Sequence, residues 1–237
     1  MVGMASMTST RAVGKPIPPL ENGDRLTREE FERRFDATPN LKRAELIEGV
    51  VYMTPPVSYD HGNTHFELIT WAGVYSASTP GVRGGGNSTI RMDLDNEPQP
   101  DVFLMIEPSS GGQAKISEDR YVEGAPELVA EVAATSASYD LHNKMEVYRK
   151  QGVREYLVLR VYDEQLDWFV WTKSRFVRIA PDQSGIIRSK VFPGLWLDVN
   201  AVVRGDIAAV LRVLQEGLAT REHAEFVKKL QAAGQSK

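Results

Sequence analysis

The stretch from 127 to 161 restricts the fold of this chain more than any other. It reads as an apolar strand, ELVAEVA at 127–133, then a helix at 139–151 closed by Gly152, then a second apolar strand, EYLVLRV at 155–161. That order and those lengths belong to a β-α-β crossover, in which the helix carries the chain across the sheet between two parallel strands. A mixed α/β sheet is the expected fold class.

The rest of the chain supplies further strands and flanking helices. LTREEFERRF at 26–35 predicts a helix, with Thr27 and Glu30 at capping-box spacing and Phe31 and Phe35 on one face. AELIEGVVYM at 44–53 predicts a strand or a hairpin turning at Glu48-Gly49, and 59–78 a helix capped by Asp60 with apolar positions at 66, 69 and 72–75. RGGGN at 83–87 reads as a turn, STIRMDL at 88–94 and DVFLMI at 101–106 as strands, and LDWFVW with RFVRIA as an added antiparallel hairpin. VFPGLWLDV at 191–199 closes the sheet region, and 206–230 reads as one long amphipathic helix. The expected organisation is a disordered leader over 1–24, rich in small residues and then prolines, a main domain over 25–200, and a helix over 201–237 packing on that domain or on a partner.

Composition narrows the chemistry. With no cysteine among 237 residues, disulfides, thiolate metal sites and cysteine nucleophiles are excluded, and any metal must sit on oxygen or imidazole. A reducing cytoplasm is the compartment that fits. No stretch approaches the roughly eighteen apolar residues of a membrane span, so no membrane partner is expected. A net charge of -4 argues against coating nucleic acid by bulk electrostatics, while leaving room for a local basic patch.

Within this pattern, three charged residues stand out. Alternation places Glu131 on the same strand face as Val129 and Ala133, inside the predicted core, where an ionised carboxylate is costly unless a basic group, a set of donors or a cation compensates it. Asp101 opens the apolar run after Pro100, so two acids at neighbouring strand ends can meet. Oxygen ligands of this kind suit magnesium or manganese. On the helix that follows Glu131, at about 100° per residue, Lys144 falls between Val147 and Leu141, inside the apolar arc. A lysine there needs an acid or a phosphate. Two acids and a lysine are chemically sufficient for metal-assisted phosphodiester hydrolysis.

QPD at 99–101, APELVAEVAATS at 125–136, a lysine in the next helix, and GVREYLVL at 152–159, in that order, resemble the PD-(D/E)XK nuclease superfamily. The pattern is most similar to its Uma-two family of restriction-endonuclease-like proteins, from about AELIEGVVYMTPP to GLWLDV. The resemblance implies a restriction-endonuclease-like core, with Asp101 and Glu131 as Mg2+ ligands, Mn2+ as substitute, and the backbone carbonyl of Val132 as a third ligand. AELIEGV matches the family's YELIDGE-like segment, which implies Glu45 as an extra acid, with Glu48 at the turn. Two positions depart from the pattern. Ala133 stands where the commoner E-X-K arrangement keeps its lysine, and Ala134 where the family keeps a serine. The implied function is Mg-dependent cleavage of DNA by an endonuclease, with a homodimer as an arrangement for cutting two strands.

Other readings compete. Glu131 and Lys144 alone describe a structural ion pair, and a non-catalytic module that binds nucleic acid or assembles oligomers would keep the same fold. Paired carboxylates also serve glycosidases; the inward lysine speaks against that. His61 and His65, four apart on a predicted helix, lack a third ligand in sequence and read as surface residues, with His61 able to line the cleft. RGGGNST lacks the phosphate-loop pattern. Arg33, Arg34, Lys42, Arg43, Arg149, Lys150 and Arg154 read as solvated faces or a phosphate-tracking rim. Trp168 and Trp171 are expected under the final helix.

Overall fold

The computed structural model of the protein describes residues 16–53, 56–134 and 136–235. Most of the expected leader, residues 1–15, lies outside them. From about Leu20 the chain is already part of the fold: Leu20 is buried and Gly23 N–H donates to Val51 O.

In chain order, α1 (Arg28–Asp36) precedes an antiparallel hairpin of β1 (Ala44–Ile47) and β2 (Val50–Met53). Glu48 and Gly49 form its tip at φ 50° and 74°, the left-handed pair that a two-residue hairpin turn requires. Then come α2 (Tyr59–Ser78), β3 (Val82–Gly85), β4 (Ile90–Arg91), β5 (Val102–Ile106), β6 (Lys115–Ile116), β7 (Val122–Glu123) and β8 (Leu128–Ala133). The crossover consists of α3 (Ala137–Tyr139), a π-helical turn at Asp140–Lys144, and α4 (Met145–Gln151), and leads to β9 (Glu155–Arg160). β10 (Gln165–Thr172), β11 (Arg175–Ile179), β12 (Ile186–Arg188), β13 (Trp196–Asp198), α5 (Val199–Val203), α6 (Ile207–Leu218) and α7 (Arg221–Gln235) complete the chain.

Six strands form the main sheet in the order β11-β10-β9-β8-β5-β3. β8 and β9 are parallel, as the crossover demands, and the other neighbours are antiparallel. Alternation along β8 sends Leu128, Ala130 and Val132 into a core with Trp71, Tyr75 and Leu214 of the α2 and α6 side. Val129 and Ala133 join the opposite cluster with Tyr148 and Tyr156. Glu131 shares this second face. A third cluster, Phe31 with Leu46 and Val51, fastens α1 to the β1-β2 hairpin.

Several local expectations change. RGGGN is mostly not a turn: Val82–Gly85 is the edge strand β3, paired with β5 from Val82↔Ile106 to Gly85↔Phe103. Its glycines are needed for close approach, since a Cβ on Gly85 would lie 2.6 Å from the Phe103 ring. The strand expected at 88–94 contracts to Ile90–Arg91. Thr27 occupies the cap position of α1 without a side-chain cap bond, because Glu30 pairs with Arg33 and Arg34 instead. Ser58, not Asp60, caps α2 through His61 N–H. The inner face of α2 is Leu68, Trp71, Ala72 and Tyr75, whereas Phe66 is 69% exposed. The long C-terminal helix is two, α6 and α7, broken at Thr220, whose hydroxyl accepts from His223 N–H. Trp168 is buried edge-on against Trp71 of α2, and Trp171 is exposed.

Candidate functional site

The antiparallel register of β5 and β8, with Val102 opposite Ala130, sets Asp101 opposite Glu131 where Pro100 ends the pairing. Val132 N–H donates to Asp101 Oδ2 at 2.8 Å, and Asp101 N–H approaches Glu131 Oε2 at 3.4 Å. The Asp101 carboxylate is therefore tied to the backbone one residue past Glu131, and the Glu131 carboxylate faces the backbone of Asp101. Both are almost fully buried.

Lys144 closes the arrangement from the crossover. The helical wheel puts it inward, and it is buried at 4% exposure, at the end of the π-helical turn. Its Nζ lies 3.0 Å from Glu131 Oε1 and 2.8 Å from Glu45 Oε1. Glu45 projects from β1, accepts the Gln99 N–H at 2.7 Å, and so belongs to the same cluster. Tyr148, one turn beyond Lys144, donates its hydroxyl to Glu131 Oε1 at 2.8 Å. Glu48 stays at the hairpin tip, paired with Lys150 on the surface.

Burial dominates the electrostatics. It pushes the Glu131 carboxyl up to about 8, against the pull of Lys144 and with Asp101, Asp140 and Glu45 adding to the rise. Burial also opposes ionisation of Asp101, yet His61, the Val132 N–H and Lys144 together hold that acid down at about 2. Lys144 loses solvation in the same way, but the surrounding acids, Glu131 first, raise it well above the ordinary lysine value. The two strand acids, chemically alike, are thus driven apart by their neighbours.

These groups line a cavity of about 210 Å³ with Val132, His61, Arg43, Tyr139 and Asp140. His61 Nε2 stands 3.7 Å from Asp101 Oδ1. His65 is not a free surface residue, because its Nε2 lies 2.7 Å from the Asp101 carbonyl oxygen and helps hold that residue's backbone. Asp140, Tyr139 and Tyr148 are site residues that the sequence does not single out, and Arg43 comes to the cavity from the basic set read as a solvated face or rim. Asp140 had a signal in its i,i+4 spacing from Lys144 on one helical face; Arg43 had only its place in the basic set read as solvated faces or a phosphate-tracking rim. Arg33, Arg34 and Arg149 make short-range pairs with Glu30 and Glu146 on helix faces away from the cavity. Among the described residues no group of three or more His, Cys, Asp or Glu side chains is spaced to hold a metal ion unaided. None of the described helices is long and apolar enough to cross a membrane.

The family model described as "Putative restriction endonuclease", Uma2, matches residues 28–200. The chain belongs to the Uma2 family. Its fold is also similar to a crystal structure from Anabaena variabilis ATCC 29413 described as a "putative nuclease belonging to DUF820", with TM-score 0.58 and 13% identity. That likeness covers 76% of this chain and 98% of the other, and at such low identity it speaks for the fold alone. No curated protein matches the chain. The Uma2 assignment and the nuclease fold make this a nuclease-like protein, and the matched span holds Glu45, Asp101, Glu131 and Lys144.

Proposed function

We propose that this Uma2 protein is a metal-dependent phosphodiesterase acting on DNA, an endonuclease using Mg2+ with Mn2+ as substitute. The observation that carries the reading is the convergence of Asp101, Glu131, Glu45 and Lys144 on one cavity. The donor set suits such an ion. Four carboxyls, Glu45, Asp101, Glu131 and Asp140, face two fixed cations, Arg43 and Lys144, and a divalent cation would offset the repulsion among the acids and favour the ionised form of Glu131 that burial opposes. Among the described residues, Glu131 Oε2 has only the 3.4 Å contact with the Asp101 N–H, and Asp101 Oδ1 only contacts at 3.4 and 3.7 Å, which leaves each acid one lightly held oxygen. Two carboxylates and the Val132 carbonyl are few ligands, but Mg2+ commonly completes its octahedron with water and phosphate oxygens.

When bound, the ion polarises the phosphate and acidifies a water. Asp101 and Glu131 would hold it. Lys144, fixed between Glu45 and Glu131, offers an ammonium that donates and cannot accept, so its part is to orient the attacking water and offset charge growing on the phosphorane. Glu45 keeps Lys144 in register, and His61 forms the cleft wall beside Asp101.

A non-catalytic module is favoured by one observation, the contact of Lys144 with both Glu45 and Glu131, which satisfies the lysine within the protein. Metal titration separates the two readings. A nuclease predicts that Mn2+ or Mg2+ raises Tm, by the equivalent of about 2.7 kcal/mol at a hundredfold excess over Kd. Asp101→Ala and Glu131→Ala should each abolish the rise and the nicking of plasmid DNA. Nicking that survives in both variants would sink the assignment; no response to any divalent ion, with Glu131→Gln stabilising, would favour the module.

A further inference from the structure

We propose that Arg43 is the group that grips the substrate phosphate in this cavity, a role that rests on the phosphodiesterase reading above. Arg43 stands directly before β1, and the residue that follows Ala44 on that strand is Glu45. This register brings its guanidinium over the pocket that contains Asp101, Glu131 and Lys144, instead of leaving it on a solvated face.

Its hydrogen bonding is incomplete in a particular way. Nη2 donates to the Gln99 carbonyl at 3.0 Å and faces Asp101 Oδ1 at 3.4 Å, long for a charge-assisted bond. Nε is buried and has no hydrogen-bond partner among the described residues. In a guanidinium, Nε–H and one Nη2–H point along the same edge of the plane, the edge that carboxylates and phosphates take with two oxygens. The Nε half of that fork is therefore unused, while Nη2 is shared between the Gln99 carbonyl and the long contact with Asp101. Lys144, the other fixed cation of the cavity, is already held by two carboxylates at 2.8 and 3.0 Å. Lys144 keeps one N–H, the one assigned above to the attacking water, so Arg43 is the cation with a two-point edge available to a phosphate.

A buried donor without a partner carries a desolvation penalty that a correctly placed acceptor removes. The acceptor must be anionic to be drawn to a guanidinium and must reach a site flanked by Asp101. The non-bridging oxygens of a phosphodiester held beside Asp101 and Glu131 meet both conditions. Arg43 then contributes a bidentate contact whose value grows as negative charge accumulates on those oxygens during attack. Lysine has the charge but not the fork, so Arg43→Lys is a graded test of the geometry.

The experiment compares wild type, Arg43→Ala and Arg43→Lys in cleavage of an oligonucleotide duplex, in inhibition by inorganic phosphate, and in thermal melts with Mn2+. In Arg43→Ala we expect kcat/KM to fall by about 10- to 100-fold, the loss typical of a hydrogen bond to a charged group, with a smaller fall in Arg43→Lys. Phosphate should inhibit both variants more weakly, while the Mn2+-dependent rise in Tm persists. Wild-type kcat/KM with unchanged phosphate inhibition in Arg43→Ala overturns the proposal. So does loss of cleavage together with loss of the Mn2+ response, which would reduce Arg43 to a support for Asp101. If the wild type cleaves nothing, the nuclease reading fails on its own and phosphate protection against thermal unfolding decides the matter. Protection that Arg43→Ala abolishes keeps Arg43 as the anion-binding group; protection absent in wild type, or unchanged in Arg43→Ala, refutes it.

Discussion

Replacing Lys144 by methionine tests the architecture of the site independently of any activity. Methionine keeps much of the side-chain volume, so the change is chiefly the loss of one ammonium. That ammonium sits at 5% side-chain exposure between Glu45 and Glu131, at 8% and 3%, with contacts of 2.8 and 3.0 Å. Removing one partner of a buried pair leaves an uncompensated charge and costs about 3–5 kcal/mol. Here Glu45 loses its ionic partner, whereas Glu131, pushed up to about 8, is already largely protonated at pH 7. That leaves Glu45 as the main source of the penalty and places the expected loss at the lower end, about 3 kcal/mol. Urea unfolding at pH 7 in EDTA measures it. Glu131→Gln combined with Lys144→Met should lose clearly less than the sum of the two single losses, because both act on one network. A loss below about 1 kcal/mol, the range of exposed ion pairs, or strict additivity in the double variant would refute the picture of a buried, mutually dependent cluster.

Two further perturbations probe regions outside that cluster. Glu97, buried beside Glu32, is pushed up to about 8, first by burial and then by its acidic neighbour. An acid whose folded value lies above the unfolded one binds more protons folded than unfolded, so stability should fall as pH rises from about 4.5 through 8, by at most a few kcal/mol; Glu97→Gln should flatten that slope and exceed wild type at pH 8 more than at pH 5 in urea unfolding. Gly86→Ala would set a Cβ 2.8 Å from the Asp101 carbonyl oxygen and 2.6 Å from Ile69 Cδ1. The backbone contact has no flexible end to yield, so we expect about 1–3 kcal/mol of destabilisation together with a weakened Mn2+ effect on Tm, and an unchanged melt with a full Mn2+ response would contradict the close approach.

What was legible in sequence was whatever violated its surroundings. Glu131 stands out because six buried strand positions surround and include it, and Lys144 because its helix is otherwise apolar on that side. The β8-α4-β9 unit followed from periodicity alone. Arg43 is the opposite case: a basic residue in a polar stretch looks solvated, and only the placement of β1 beside the ends of β5 and β8 brings it to the cavity. β3 was invisible for a different reason, since glycine carries no hydropathy and its use here is to let β5 and α2 come close. In α2 the apolar residues run around much of the helix, so a wheel could not choose between Phe66 with Ile69 and Leu68 with Trp71; packing against Trp168 and the α6 side makes the choice.

The displaced lysine connects these observations. Position 133, two residues beyond Glu131 and on the same face of β8, holds an alanine that is 1% exposed and belongs to the cluster with Tyr148 and Tyr156. A long cationic side chain there would have to displace that aromatic packing. With alanine, the crossover can lie close over the strand, and that closeness is what lets Lys144 reach Glu131 Oε1 from the helix while Tyr148 reaches the same oxygen from the next turn. The ammonium is thus tied to the carboxylate by tertiary packing instead of by strand spacing. Its position then depends on the seating of α4, and so on buried aromatics that touch no substrate. Glu45 supplies the second anchor, from a hairpin that is joined to the site through the Gln99 N–H rather than through the main sheet. Three pieces, the ends of β5 and β8, the crossover and the β1-β2 hairpin, must all be in place before the four site residues meet, which makes the geometry of this site a property of the whole domain.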